Sequence, residues 1–557
     1  MELTRINLIK RIIMKQHLYK GLLIFAGLTL SFSCKKALEE KNPSGITPES
    51  VFTTPAGFET LVNAAYSYQR WWYGKEEGVS LAEMGTDLWM SGAGDVTTDL
   101  TQYINLQATN TAVTTEWQQL YAAVNLCNSG INRIGGAGLS ATVRPVREAE
   151  LKFLRAFYYW HIVETWGGVH FSTVETPGAV TTANKTPVET FNKQIIEDLL
   201  FAVANLPATT ADYGRVTKPA AQAFLARMYL TQKKNTEARD MALAVINGGY
   251  GFSLLPAYGD LWKMANLKNK EVIYAVNYSV NLSLNDLLDP ILNPLGHSRG
   301  SNNMHMLFSM KYDDQPAMLR DIANGRPFNR YMPTRFLLDL YSDNDTRYDG
   351  SFQTVWFANG TTRPAGMKLG DTAIFATKKV FAPAGKLYKI FDRNAVYNVN
   401  GTVKDQLHYV SLSKFADPTR TSANEAQSAR DVFVIRFSEM YLIAAEAEVN
   451  LGNTTAAANY VNVIRTRAAK AGKVADMQVK PEDMTLDFIL DERGREFAGE
   501  QIRWFDLKRS GKLLARVKAY NPNAASIADF NLVRPIPRSQ VDAVTNKDEF
   551  KQNPGYQ

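Results

Sequence analysis

The sequence DVFVIRFSEMYLIAAEAEVNLGN fills residues 431–453, and EFAGEQIRWFDLKRSGKL follows at residues 496–513. In the first, Tyr441, Ala445 and Val449 recur at helical spacing, Gly452 and Asn453 break the run, and Ala457, Val461 and Ile464 resume it. The pattern predicts two short helices folded back to back. Beyond Pro481 a further helical face runs through Leu486, Ile489, Leu490, Arg493 and Phe497. Arg495, Glu496, Glu500, Arg503 and Asp506 are threaded among Trp504, Phe505 and Leu507. Charges among large aromatic rings are costly to bury unless paired, so an internal ion-pair network is expected here.

A second segment has the same grammar. Ala226, Tyr229, Ala238, Ala242 and Val245 keep nearly the offsets of Ala445, Glu448, Ala457, Val461 and Ile464. Small residues where helices touch let the two helices of one repeat approach closely, as in a tetratricopeptide unit. Such hairpins stack into a curved wall, which makes the fold mainly α. Helical stripes are also read over residues 55–70, 114–134 and 151–166. A fourth, over 186–206, opens on Thr186, Pro187 and Glu189 as a capping box.

From about residue 250 to 430 the periodicity collapses. Glycine, proline, asparagine and aspartate punctuate short apolar pieces at 271–278 and 379–381, which read as strands among long loops. Loops held on a rigid scaffold are where recognition is usually placed. The ligand surface is therefore expected to combine this region with the irregular segment 71–95. Sugars stack their C–H faces on aromatic rings, and their hydroxyls take hydrogen bonds from polar neighbours. On that chemistry Trp71, Trp72, Tyr73, Asp87, Trp89, Trp262 and Trp356 are the candidate ligand contacts. Three aromatic residues in succession at 71–73 cannot share one face, which predicts that at least one meets a loop or cleft.

The 557 residues, 45% apolar and 21% charged, have an ordinary folded composition rather than a disordered one. Of the formal charge of +7, the first 33 residues hold a net +4, and no basic run is dense enough to track a phosphate backbone. Nucleic acid is excluded as a partner. Those first residues form an export signal: a basic start, with Met14 as a second possible initiator, and an apolar run at 21–30 too short to span a bilayer. Ser31-Phe32-Ser33-Cys34 then reads as a loose lipobox, with Cys34 the acylated new N-terminus. Residues 34–54 form a lipidated tether. The second cysteine, Cys127, lies on a helical pattern as a buried thiol, so no disulfide framework is expected.

No histidine pair, Walker loop or nucleophile elbow is present. His161 reads as a core histidine. The acidic run at 343–350 has Arg347 in a ligand position and no closing glutamate, so a capped turn is expected there rather than a calcium loop. No catalytic residue, cofactor or metal ligand is assigned.

The chain resembles the SusD/RagB family of outer-membrane lipoproteins from Bacteroidetes-type bacteria. The resemblance is carried by Arg436-x-x-Glu439-x-Tyr441-Leu442-x-x-Ala445-Glu446-Ala447 and by Arg493-x-Arg495-Glu496-Phe497. It continues in Arg503-Trp504-Phe505-Asp506-Leu507-Lys508-Arg509, Arg534-Pro535-Ile536-Pro537 and Gln552-Asn553-Pro554-Gly555-Tyr556. Asn42-Pro43-Ser44 and the Phe58, Leu61, Ala64 and Tyr66 helix are similar to the family's N-terminal approach. It implies a helical superhelix of tetratricopeptide-like hairpins, divided into residues 55–250 and a loop-rich 251–557. Arg436, Glu439, Arg493, Glu496, Arg503, Trp504 and Asp506 are then a structural network. It also implies a non-enzymatic lipoprotein, anchored through lipid at the cell surface, that captures a nutrient, most often a glycan. The cargo passes to a SusC-like TonB-dependent barrel on which the protein sits as a lid. A peptide-binding relative and a helical scaffold that binds proteins remain as alternatives.

Overall fold

The computed structural model describes residues 51–176, 178–285, 302–381 and 383–557, with Met14. The export signal, Cys34, the tether and the Asn42-Pro43-Ser44 entry lie outside the described residues. The first helix, α1 (Pro55–Ser67), is N-capped by Thr54, whose hydroxyl accepts from the Gly57 N–H at 3.2 Å, and has proline in its first turn. It turns directly into α2 (Gln69–Trp72) and α3 (Glu76–Ala82).

The long helices α4 (Thr111–Arg133) and α5 (Val143–Trp166) lie side by side, followed by α6 (Val188–Asn205). From Ala149 onward α5 is buried on nearly every face, which explains its run of tyrosine, phenylalanine and tryptophan. The predicted capping box at the start of α6 does not form: the helix begins at Val188 with Pro187 as its cap residue. The Thr186 N–H donates instead to the Val169 carbonyl, so Thr186 belongs to the preceding extended segment.

Two helical hairpins complete the wall. In the first, α7 (Lys218–Thr231) packs on α8 (Asn235–Ile246), with Ala226, Ala238 and Ala242 at 0% exposure between the helices. The later pair, α9 (Phe437–Asn450) and α10 (Thr454–Ala468), repeats this with Ala445 and Ala457. Gly452 makes its turn at φ +83°, a conformation that costs other residues steric strain. Since α8 also packs on α9, the two hairpins are adjacent although about 190 residues separate them in sequence. After them come α11 (Leu486–Phe497), α12 (Arg503–Arg509) and α13 (Leu513–Tyr520).

The strands are few and short. β1 (Trp89–Ser91) pairs antiparallel with β3 (Tyr331–Pro333), and β2 (Val272–Val276) with β7 (Val432–Arg436). β4 (Val355–Phe357), β5 (Thr372–Ala376) and β6 (Lys389–Phe391) form a separate sheet in that order. The piece at 379–381, expected to be a strand, is irregular; the sheet is built by β5 and β6 on either side of it. The β1–β3 and β2–β7 pairings join segments far apart in sequence and help fasten the loop-rich part to the helical wall.

Candidate functional site

The seven candidate ligand contacts are all buried, which corrects the sequence reading. Trp72, Tyr73, Asp87, Trp89 and Trp356 are at most 2% exposed, Trp71 is 7% exposed and Trp262 8%. None of them therefore stands on an open loop surface. The reason is local. Helix α2 is one turn long and surrounded, so Trp72 packs edge-on against His161 at 4.5 Å while Tyr73 meets Phe157 and His161. Trp71 faces the ammonium of Lys75 at 4.3 Å. Trp89 lies on β1 against Phe308, and Trp356 lies on β4 opposite Ile374. Trp262 is roofed by Phe433 and by the charged groups of Lys414 and Arg436. The irregular segment 71–95 threads the core instead of running over it.

Asp87 has a structural partner set. Its carboxylate accepts from Arg503 at 2.8 and 2.6 Å and from Arg516 Nε at 2.8 Å. Burial pushes its pKa up, but the two guanidinium groups outweigh that and hold it below the ordinary value.

The charges on α9 to α12 form the expected network, and it extends further than the motifs. Arg436 bonds Glu271, Glu496 and Glu500; Arg467 bonds Glu271 and Glu496; Arg347 bonds Asp345, Glu492 and Glu496. Glu439 accepts from Arg227 of α7 and Arg493 of α11, and Arg493 reaches Asp506. Trp504, 1% exposed, packs against Phe505 within this lattice. Burial raises the Glu492 carboxyl, yet Arg347, Arg495 and Arg465 bring it down to about 2. The carboxylates of this cluster are buried and engaged by guanidinium groups rather than facing a cleft. Asp345 also N-caps the helix Thr346–Ser351, accepting from the Arg347 N–H at 2.9 Å. His161 is a core residue, bonded through Nδ1 to the Phe157 carbonyl, with burial holding its pKa at about 3. Cys127 is a fully buried thiol.

What the long loops do assemble is a rim. The β1–β3 pairing carries residues 92–97 alongside 326–330, and the Gly92 and Gly94 N–H groups donate to the carbonyls of Arg330 and Asn329 at 2.8 Å. The Ala93 N–H donates to Gln406, bringing in a third loop. Gly94 permits this approach, since a Cβ there would stand 2.1 Å from the Phe328 carbonyl oxygen. Asn329 joins all three. Its backbone is left-handed at φ +55°, its Oδ1 accepts from the Ala93 N–H at 2.8 Å, and its Nδ2 donates to the Leu407 carbonyl at 2.8 Å.

On this rim the guanidinium groups of Arg326 and Arg330 lie 5.0 and 5.1 Å from the half-buried Phe328 ring. Phe391 stacks flat on His408, with centroids 4.4 Å apart and 7° between planes. His408 is fixed through Nδ1 to Asp405 at 2.8 Å and through Nε2 to Asp314 at 3.0 Å. Val96 is 66% exposed and Leu407 40%. The rim therefore carries the half-buried Phe328 and Phe391 rings and guanidinium groups beside amide and carboxylate side chains on a braced backbone, with His408 buried under Phe391. The sequence singles out none of Phe328, Asn329 and His408, because which loops meet is set by the tertiary structure.

Comparison with known proteins defines the class: two SusD family descriptions together match most of the chain, and it belongs to the SusD/RagB family. It matches the SusD family over residues 289–556 and the family described as "Starch-binding associating with outer membrane" over residues 38–230. It is 24% identical to SusD-like protein P25 of Formosa agariphila across 96% of this chain and 99% of that protein. It is 23% identical to the starch-binding protein SusD of Bacteroides thetaiotaomicron, covering 82% of this chain and 81% of that one. Among solved structures it resembles a laminarin-binding SusD-like protein, with a TM-score of 0.68 and 22% identity over 90% of this chain and 99% of that one. It also resembles surface glycan-binding protein A of Bacteroides thetaiotaomicron in complex with laminarihexaose, at a TM-score of 0.67 and 21% identity over the same shares. Three of these relatives are named for binding, and the family matched over residues 38–230 is described as associating with the outer membrane. No helix among the described residues is long and apolar enough to cross a membrane.

Proposed function

We propose that this protein is a lipid-anchored binding protein of the outer membrane. On this reading it captures an oligosaccharide at the rim formed by loops 92–97, 326–330 and 405–408 and delivers it to a TonB-dependent barrel. The observation that supports this reading is the Asn329 clamp, which ties together the loop that carries Phe328 with its two guanidinium neighbours and the loop that carries His408, on which Phe391 stacks. Planar groups beside hydrogen-bonding side chains suit a ligand with flat C–H faces and many hydroxyls. The named ligands of the similar structures, laminarin and laminarihexaose, agree with that chemistry. The mechanism is capture and release with no covalent step. Acylation of Cys34 would keep the protein beside its barrel, so that reclosure after opening is effectively intramolecular.

The test is calorimetry of the mature chain against panels of oligosaccharides and oligopeptides. Saccharide binding is expected, and Phe328→Ala combined with Arg326→Ala should weaken it at least tenfold with the thermal midpoint unchanged. Binding of peptides alone would replace the glycan reading with the peptide one. Product formation from a bound saccharide would sink the non-enzymatic reading.

A further inference from the structure

A second concavity lies on different elements from the rim. It is a cavity of about 490 Å³ between α4, residues 170–176 and 178–183, and the C-terminal segment 540–550. That volume is within the range of small-molecule sites. Its floor is apolar, made by Trp117, Val544 and Phe550, which are 4%, 8% and 2% exposed. Tyr121 and His170 form a wall. The Tyr121 ring lies 4.7 Å from Trp117 and 6.4 Å from His170, and its hydroxyl donates to the His170 carbonyl at 2.7 Å.

The enclosure is built before any ligand arrives. The Thr545 N–H and hydroxyl both donate to the Thr181 carbonyl, while Asn546 exchanges two hydrogen bonds with the Ala183 backbone. At the other end Asn125 Oδ1 accepts from the Thr176 N–H at 2.8 Å, which leaves its amide NH₂ free to donate. The side chains of Gln118 and Gln540 line the opening without a hydrogen bond to another described residue, and His170 Nδ1 is buried without a partner. No aspartate, glutamate, lysine or arginine lines the cavity, although 21% of the chain is charged. Burial lowers the pKa of His170, so the lining is uncharged at neutral pH.

An apolar floor, an aromatic wall and an amide rim with no charge match a ligand that has flat C–H faces and neutral hydroxyls. The geometry points to this cavity as a second saccharide site, separate from the rim and selective for neutral sugar units. The inference rests on the glycan reading of the protein's function. Two sites on one body would engage separate stretches of a long polysaccharide, strengthening capture of polymer over short fragments.

The experiment uses the mature chain with its nine tryptophans replaced biosynthetically by 5-fluorotryptophan, the Trp117 resonance being assigned with Trp117→Phe. The probes are neutral gluco-, manno- and xylo-oligosaccharides of two and six units and a sulfated hexasaccharide, with calorimetry in parallel. A neutral saccharide should move the Trp117 resonance saturably, and should still do so in Phe328→Ala. Ala122→Trp and Ala543→Trp each place a bulky ring in the cavity from an exposed position on a different element. Each should weaken that response at least tenfold and leave binding at the rim intact. Calorimetric binding that never moves Trp117 would overturn the second site and leave the rim reading standing. An equal response to the sulfated probe would overturn its neutral selectivity. Absence of binding by every saccharide would overturn both readings.

Discussion

Asn329 is 3% exposed and serves two loops with one amide while holding a left-handed backbone. Asn329→Ala removes both side-chain hydrogen bonds, although the Ala93 N–H keeps the Gln406 carbonyl and the Leu407 carbonyl keeps the Lys311 N–H, and it adds steric strain. Stability should fall by about 1–3 kcal/mol. Asn329→Gly removes the same bonds without the strain and should recover roughly 1 kcal/mol of that loss. Urea denaturation of the pair measures the difference, and equal losses would show that the backbone conformation is unstrained. Asp506 is bonded by Arg493 and Arg509 at 2.6 and 2.7 Å. Asp506→Ala strands buried guanidinium groups and should cost about 3–5 kcal/mol. An unchanged thermal midpoint in that variant would contradict the structural role. The importance of Asp506 was legible because arginine, aspartate and tryptophan crowd one short stretch. The burial of Trp72, Trp89 and Trp356 was not. Their glycine-rich and polar neighbours read as surface, whereas the chain there runs between packed elements whose identity only the tertiary structure supplies.

At the scale of elements, the charge lattice between α9, α10 and α11 gives the fold an acid limit. The Glu492 carboxyl, ordinarily near 4.5, is brought to about 2 in the folded protein. The native state thus binds fewer protons than the unfolded chain between these values. Its contribution is complete above about pH 4.5 and disappears as the pH falls toward 2. The thermal midpoint should drop steeply through that window. Glu492→Gln should lower stability at neutral pH and flatten the acid slope, which calorimetric scans at stepped pH would show. The helical hairpins themselves were readable from alanine spacing, since close helix approach demands small residues at fixed intervals. Strand pairing was not readable. β1 and β3 are three residues each, about 240 residues apart, and nothing in either sequence names the other.

For the whole molecule, the early and late parts of the chain complete each other's buried charges. Arg227 of α7 is paired by Glu439 of α9, and Asp87 by Arg503 and Arg516. A fragment spanning residues 51–250 carries Arg227 and Asp87 without these partners and lacks β2 and β7. It should show no cooperative thermal transition by circular dichroism; a sharp one would show that the helical wall folds alone. The meeting of loops 92–97, 326–330 and 405–408 is likewise a property of the complete chain, which is why no short stretch of sequence names the residues that meet there.

Asp87 has a consequence for how the protein is made. Both guanidinium groups that neutralise it are supplied by α12 and α13, in the last tenth of the sequence. During vectorial synthesis that carboxylate stays unmatched until translation is almost finished, so the body cannot close around it beforehand. On the proposed reading of an exported lipoprotein, a chain that closes this late suits passage through a narrow translocation pore.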